Sequence, residues 1–597
     1  MEIVDAILDG TDVLCVMPTG AGKSICYQVP AMILDGVTLV ISPLISLMKD
    51  QVGALTQSGI CAAYLNSSLT QSQYNRALEN IRRGVYKIVY VAPERLGVPA
   101  FIEALENVRV DLVAVDEAHC ISQWGQDFRP SYLKIAELID HLGYRPTVAA
   151  FTATATAEVK DDIEYALRLR TPLRITTGFD RPNLRFEVQR PTDKFDALAD
   201  ILKKHRGESG IVYCSTRRTV EEVGTALCER GIAATVYHAG LSDDVRRGNQ
   251  DDFVYDRCSV MVATNAFGMG IDKSNVSFVV HYNMPMDIES YYQEAGRAGR
   301  DGSEAECILL YSPSDVHTNR FLIANSEPNP ELTPEEQELM RAKDYERLKL
   351  MTFYSTTNAC LRGFILDYFG ERAPAFCGNC SSCLNEMVDT NVTLDAQKIL
   401  SCIKRTGERY GKKMICDILR GSRNEKILSL GLDSQTTYGL MKEQKEATVR
   451  QIIDHLEREG YIESRGTEYP TLALTPQATG VLFGGEAVLM KLPRPKDPLP
   501  KKGRKTRAPA TETTESDLLA DLKVIRRRIA DERKVPAYIV FTDATLVDMC
   551  AKLPTTEEEL LEVSGVGESK LRLYGERFLY VIRAHVSYLE RKRNGDL

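Results

Sequence analysis

Nine short, mostly apolar runs spaced by helix-like stretches restrict the fold of this chain more than any other feature. They are Val13–Val16, Val37–Ile41, Ile88–Val91, Leu112–Val115, Val148–Phe151, Ile211–Cys214, Val260–Ala263, Phe278–His281 and Ile308–Tyr311. A strand buried on both faces has no polar side to alternate with, so it reads as an unbroken apolar run. Strands that take turns with helices build βαβ units, and such units join into a parallel sheet. Roughly three hundred residues exceed one comfortable core, and we place a break near 180. The expectation is an α/β protein with two lobes, residues 1–180 and 181–315, followed by smaller units.

Composition narrows the partners. The chain has 597 residues, 26% charged and 44% hydrophobic, with a net charge of −9 and a pI near 5.7. No run of about 18 apolar residues occurs, so no membrane span is expected. Glu2, Asp5 and Asp9 make the opening residues unlike a secretory signal. Most of the 15 cysteines are scattered, as reduced thiols of a cytoplasmic protein are. The acidic balance argues against a polyanionic partner for the chain as a whole, so any nucleic-acid contact needs local basic patches. Residues 316–385 carry charged helix patterns and then a cysteine group, and 386–490 read as a small α+β unit. Residues 491–514 hold five prolines and eight Lys/Arg and read as an extended linker. Helical periodicity resumes in 515–597.

Three stretches carry chemistry. After the run Val13–Val16 comes MPTGAGKS, and a helix pattern begins at Ile25. Thr19, Gly20, Ala21, Gly22, Lys23 and Ser24 suit a loop whose N–H groups cradle phosphates, with Lys23 on the β/γ oxygens and Ser24 on Mg²⁺. The usual motif has glycine where Met17 stands, and the alternative is an ordinary strand-to-helix turn. Leu112–Val115 ends in Asp116-Glu117-Ala118-His119, at the strand end where open α/β sheets bind ligands. There Asp116 would hold Mg²⁺ through water and Glu117 would activate the attacking water; an exposed acidic turn is the alternative. QEAGRAGR supplies Gln293, Arg297 and Arg300, with the two arginines on one side of a helix and suited to a γ-phosphate. A solvated basic turn is the bland reading.

Together these stretches resemble superfamily-two helicases, and specifically the RecQ family. The resemblance extends through SPLISLMKDQV (42–52), APERL (92–96), ISQWGQDFRPSY (121–132), TATAT (152–156), FDRPN (179–183), YCSTR (213–217), YHAGL (237–241), ATNAFGMGIDK (263–273) and YYQEAGRAGRDG (291–302). It implies two RecA-like lobes, with ATP bound between them, and 3′ to 5′ translocation that unwinds duplex DNA. It also implies single-stranded and duplex DNA as partners, with single-strand-binding protein a further candidate, and roles in repair and recombination. In this family an adenine-reading segment resembling F-G-Y-x-x-F-R-P-x-Q lies just upstream of the position of Met1. It is not in this sequence, and we expect a start placed too late rather than a genuine short form. A DNA-binding scaffold with impaired ATP use is the rival reading, and an RNA-directed ATPase another. Trp124, Phe128 and Arg129, with Tyr132, form an aromatic-rich loop that would stack on bases and couple strand binding to hydrolysis; a buried Trp at the lobe interface is the alternative. Thr152 and Thr154 would link the lobes.

Cys360, Cys377, Cys380 and Cys383 read C-x16-C-x2-C-x2-C, a set suited to tetrahedral, structural Zn²⁺. Val449, Ile452, Ile453 and Leu456 recur at helix spacing, and two strands flank Ser464–Pro470. That pattern resembles a winged helix, in which Tyr469 would wedge the duplex; a surface Tyr is the alternative. Residues 515–597 resemble an HRDC domain. Its turn Ser564–Gly567 and its Arg526–Arg528 run either face phosphates or are ordinary solvated features.

Overall fold

The computed structural model describes residues 1–493 and 515–594, apart from Thr19, Gln126, 269–272, Glu331, Glu386, 467–469 and Lys534. The first lobe is one parallel sheet of seven strands: β1 (Val13–Val16), β2 (Val37–Ile41), β3 (Ala62–Leu65), β4 (Ile88–Val91), β5 (Val110–Val115), β6 (Thr147–Thr152) and β7 (Leu173–Thr176). Their order is β3-β4-β2-β5-β6-β1-β7. The second lobe has six parallel strands: β8 (Leu184–Gln189), β9 (Ser209–Tyr213), β10 (Ala234–Tyr237), β11 (Val260–Ala263), β12 (Val276–His281) and β13 (Ala305–Leu310). Their order is β10-β11-β9-β12-β13-β8. All nine runs picked out in the sequence are strands here, most within two residues of the expected bounds.

In the first sheet β6 separates β1 from β5. The loop leaving β1 and the acids leaving β5 therefore open onto the same sheet edge, on either side of the end of β6. That is the crevice where parallel sheets bind ligands.

A helix of 23 residues, Pro334–Thr356, begins the next unit, with Thr333 and Glu336 closing a capping box at its start. The helix Leu361–Tyr368 follows and is tied back to the segment joining the lobes. Arg362 bonds Asp180 at 2.5 Å and the carbonyls of Arg181 and Leu184 at 2.7 and 2.5 Å, while Phe369 stacks on Phe179 at 4.2 Å.

The winged-helix unit has its own core, in which Ile399, Ile403, Ile415, Ile453 and Leu456 are buried. Strand β14 (Met387–Asn391) opens it. The helix Glu446–Arg458 leads into β15 (Ile462–Arg465), which pairs antiparallel with β16 (Thr471–Leu474), and β17 (Leu489–Pro493) returns to pair with β14. Tyr469 lies outside the described residues. The terminal helices pack around Phe541, Phe578 and Ile529. No described helix is long and apolar enough to cross a membrane.

Candidate functional site

The loop from β1 turns tightly because Gly20 and Gly22 take φ values of +84° and +91°, which side chains rarely adopt. Gly22 caps the helix Lys23–Ile33. Lys23 Nζ is buried and, among the described residues, has no hydrogen-bond partner. An ammonium costs too much to bury alone, so its position calls for an anion supplied from outside. Thr19 lies outside the described residues.

Asp116 follows β5 and is buried beneath the loop. Burial and the Glu117 charge push its carboxyl up to about 7, against the pull of Lys23. Tyr132 fixes the backbone by donating to the Asp116 carbonyl at 3.0 Å. Glu117 sits in the left-handed region at φ +47°, and its Oε2 is buried with no hydrogen-bond partner. It lies 3.4 Å from His119 Nδ1. That nitrogen also meets Thr152 Oγ1 at 2.9 Å, and the Thr152 hydroxyl donates to the Thr154 carbonyl at 3.0 Å. Since that hydroxyl has one proton, His119 Nδ1 carries the hydrogen between them. Burial holds the His119 pKa down, so the ring is neutral.

The second lobe reaches this crevice directly. Gln293, on the helix Ile288–Ala295, donates from Nε2 to Thr154 Oγ1 at 3.0 Å across the lobes. The Arg300 side chain lies against the loop: a Cβ placed on Gly20 would sit 3.4 Å from Arg300 Cγ. Arg297 and Arg300 follow the helix Ile288–Ala295 in a turn rather than sharing one side of it, since it ends at Ala295; Arg297 is buried, bonds the Gly268 carbonyl and, among the described residues, leaves its Nε without a partner. A Cβ on Gly268 would collide with that guanidinium at 2.3 Å, so only glycine fits there. The arrangement gathers one lysine, two acids and Arg300 at one seam, with buried polar atoms that a polyphosphate and a hydrated cation would satisfy.

Five family models match the chain in order: DEAD/DEAH box helicase over 1–162, helicase conserved C-terminal domain over 193–302, RecQ zinc-binding over 313–384, RQC domain over 386–498 and HRDC domain over 515–582. The ATP-dependent DNA helicase RecQ of Bacillus subtilis is 45% identical over 96% of this chain and 93% of its own length. The chain belongs to the RecQ helicase family. The RecQ helicase of Haemophilus influenzae is 38% identical over the whole chain and 94% of its own length. A putative ATP-dependent RNA helicase of Acanthamoeba polyphaga mimivirus is 36% identical over 78% of the chain and 84% of its own length.

The cysteine group of this RecQ-family chain fits zinc. The sulfurs of Cys360, Cys377, Cys380 and Cys383 all lie within 4.8 Å of one another. Cys360–Cys380 and Cys377–Cys383 are each 3.9 Å apart, close to the roughly 3.8 Å edge of a tetrahedron with Zn–S bonds of about 2.3 Å. Backbone N–H groups point at the sulfurs: Gly363 on Cys360, Leu361 on Cys380, and Asn379 on Cys377, at 3.3–3.4 Å. They favour the thiolate a metal needs. The hydrogen bond from Cys360 brings Cys380 down to about 4.

The aromatic-rich loop is split. Trp124 is 47% exposed, whereas Phe128 and Tyr132 are buried and Arg129 pairs with Asp127 at 2.8 Å. Of the expected strand-contacting residues, Trp124 alone presents its ring to solvent. Two contacts to it escaped the sequence reading. Lys343 caps the Trp124 ring 3.6 Å from its centroid, and Arg347 bonds the Trp124 and Gly125 carbonyls. Their signal, a Lys and an Arg four apart on a charged helix, is indistinguishable from a solvated face.

In the terminal unit the basic run is interrupted. Arg526 is buried and donates to the Phe541 carbonyl at 2.9 Å, leaving Arg527 and Arg528 outside. The Ser564 N–H is already taken by Asp548 at 2.7 Å.

Proposed function

We propose that this RecQ-family helicase hydrolyses ATP at the lobe seam to move 3′ to 5′ along single-stranded DNA and unwind the duplex ahead. The observation that carries the reading is Lys23 Nζ, buried without a partner beside Asp116 while Arg300 of the other lobe lies against Gly20. In this reading the Gly20–Ser24 loop and Lys23 hold the β- and γ-phosphates. Ser24 and Asp116 hold Mg²⁺, which supplies charge neutralisation at the transferring phosphoryl group. Glu117, whose buried Oε2 has no hydrogen-bond partner among the described residues, accepts the proton of the attacking water. Arg297 and Arg300 meet the charge that develops as the bond to the leaving diphosphate breaks. Gln293 reports the nucleotide state to Thr154.

Residues 1–180 and 181–315 then act as motor lobes, 316–385 as the zinc-binding subdomain, 386–490 as the duplex-binding winged helix, 491–514 as a linker and 515–597 as the HRDC module. Trp124 stacks on the strand and Tyr469 wedges the duplex. We place the protein in the cytoplasm, in repair and recombination, with single-strand-binding protein as a partner. Duplexes carrying a 3′ or a 5′ single-stranded tail test the reading. Unwinding is expected from the 3′ tail, and preference for the 5′ tail would overturn the polarity.

A further inference from the structure

The long helix Pro334–Thr356 touches both halves of the motor. Lys343 Nζ lies over the Trp124 ring and 3.3 Å from the Gln123 carbonyl. One turn on, Arg347 donates to the Trp124 and Gly125 carbonyls at 2.8 and 2.7 Å and pairs with Asp344 at 3.0 Å. The loop is anchored to the first lobe as well, since the Trp124 N–H bonds Ser122 Oγ at 3.0 Å and that hydroxyl donates to Asp162 at 2.7 Å.

The same helix meets the second lobe two turns further on, where the Tyr354 hydroxyl donates to the Tyr291 hydroxyl of the helix Ile288–Ala295 at 3.1 Å, and the Arg347 charge acts on the first turn of that helix. Burial raises the carboxyl of Asp287, and burial together with Asp287 pushes Glu289 up to about 7; Arg347 works against both rises. Tyr368 donates to Glu289 from the zinc-binding side. Asp287 caps the helix Ile288–Ala295 by accepting from the Ser290 N–H at 2.6 Å. That helix carries Gln293 and runs into Arg297 and Arg300.

We propose that Lys343 and Arg347 are the positioning residues that join strand binding to the second-lobe arginines. Lys343 fixes the Trp124 ring from one face so that the exposed remainder meets a base, and Arg347 holds the loop's carbonyls while its charge faces the acidic start of the helix that leads to the arginines. The inference rests on the reading of the Trp124 loop as the strand-binding element. A base on Trp124 shifts the loop, Arg347 moves with its two carbonyls, and the pull arrives at Asp287 and the turn below it. A ring already held by a cation loses little freedom when a base stacks on it, which favours binding.

Trp124 is the chain's only tryptophan, so emission excited at the red edge of the absorption band, where the 26 tyrosines do not absorb, reports this ring alone. A thymidine oligonucleotide should change the emission of the unaltered protein and accelerate ATP turnover. In K343M the emission should shift before DNA is added, and oligonucleotide affinity should fall roughly two- to fivefold, the value of an exposed cation–π contact. K343R should restore both. R347M should bind the oligonucleotide as the unaltered protein does but lose DNA stimulation of kcat by roughly two- to thirtyfold, with KM for ATP unchanged. R347K keeps the charge beside the acids but not the two-carbonyl fork, and should show a smaller loss of the same kind. Emission, affinity and stimulation all unchanged in K343M, R347M and R347K would overturn the proposal. An oligonucleotide that neither alters the emission nor stimulates turnover of the unaltered protein would instead overturn the underlying reading of the loop, and this inference with it.

Discussion

Single residues at the seam are held by unmet electrostatic demand. Among the described residues Lys23, Glu117 and Arg297 each keep a buried polar atom without a partner, so each is expected to matter more for turnover than for folding. Lys23→Ala should lower ATP hydrolysis by at least about a hundredfold while leaving DNA binding in place. Glu117→Gln should bind ATP and stall, measured as retained nucleotide affinity without turnover. A different kind of residue pair stabilises the second lobe. Burial opposes the His205 charge, but the hydrogen bonds it donates to Glu208 and Glu306 outweigh it and raise the ring to about 9, while His205 and Lys204 hold Glu306 down to about 2. The histidine contribution is complete below its ordinary value of 6.5 and is lost as pH rises through about 9; the Glu306 contribution is complete above 4.5 and is lost as pH falls towards about 2. Glu306→Gln should therefore cost roughly 2 kcal/mol near pH 6 and less above about pH 9, read from denaturation midpoints at the two pH values.

At the level of elements, the sequence revealed every interior strand and hid the edges. The four strands of the two lobes that it did not show, β3, β7, β8 and β10, are the four edges of the two large sheets. Leu-Arg-Ile-Thr in β7 and Ala-Thr-Val-Tyr in β10 are only partly buried, so they lack the unbroken apolar run that marked the others. The chemical motifs were legible because phosphate and metal chemistry fixes both residue type and spacing. The contacts of Lys343 and Arg347 were not, because a site assembled from elements more than two hundred residues apart leaves no local pattern. Interior strands also carry close packing that composition conceals. A Cβ on Gly210 in β9 would lie 2.0 Å from the Phe278 ring of the neighbouring β12. Gly210→Ala should destabilise the protein by about 1–3 kcal/mol, and Phe278→Leu in the same chain should recover part of it, as a double-mutant cycle would show.

In the whole molecule, the zinc-binding unit contacts both the lobes and the winged helix. Arg362 holds the segment between the lobes, Lys349 pairs with Glu457 of the winged helix at 2.9 Å, and Arg347 reaches the Trp124 loop. Stripping zinc with a chelator should lower the denaturation midpoint and weaken DNA stimulation together, because the metal fixes the knuckle beside the segment that joins the lobes. A chelated protein with an unchanged midpoint would show that the four cysteines hold no structural metal. Closure of the motor seam by a single strand of DNA is the step on which the proposed activity turns. Its most direct test is steady-state ATP turnover with no nucleic acid, with single-stranded DNA and with RNA of the same sequence. DNA should raise kcat by at least about tenfold, or about 1.4 kcal/mol of barrier, and well above the effect of RNA. Turnover that ignores DNA, or that answers to RNA equally well, would contradict it.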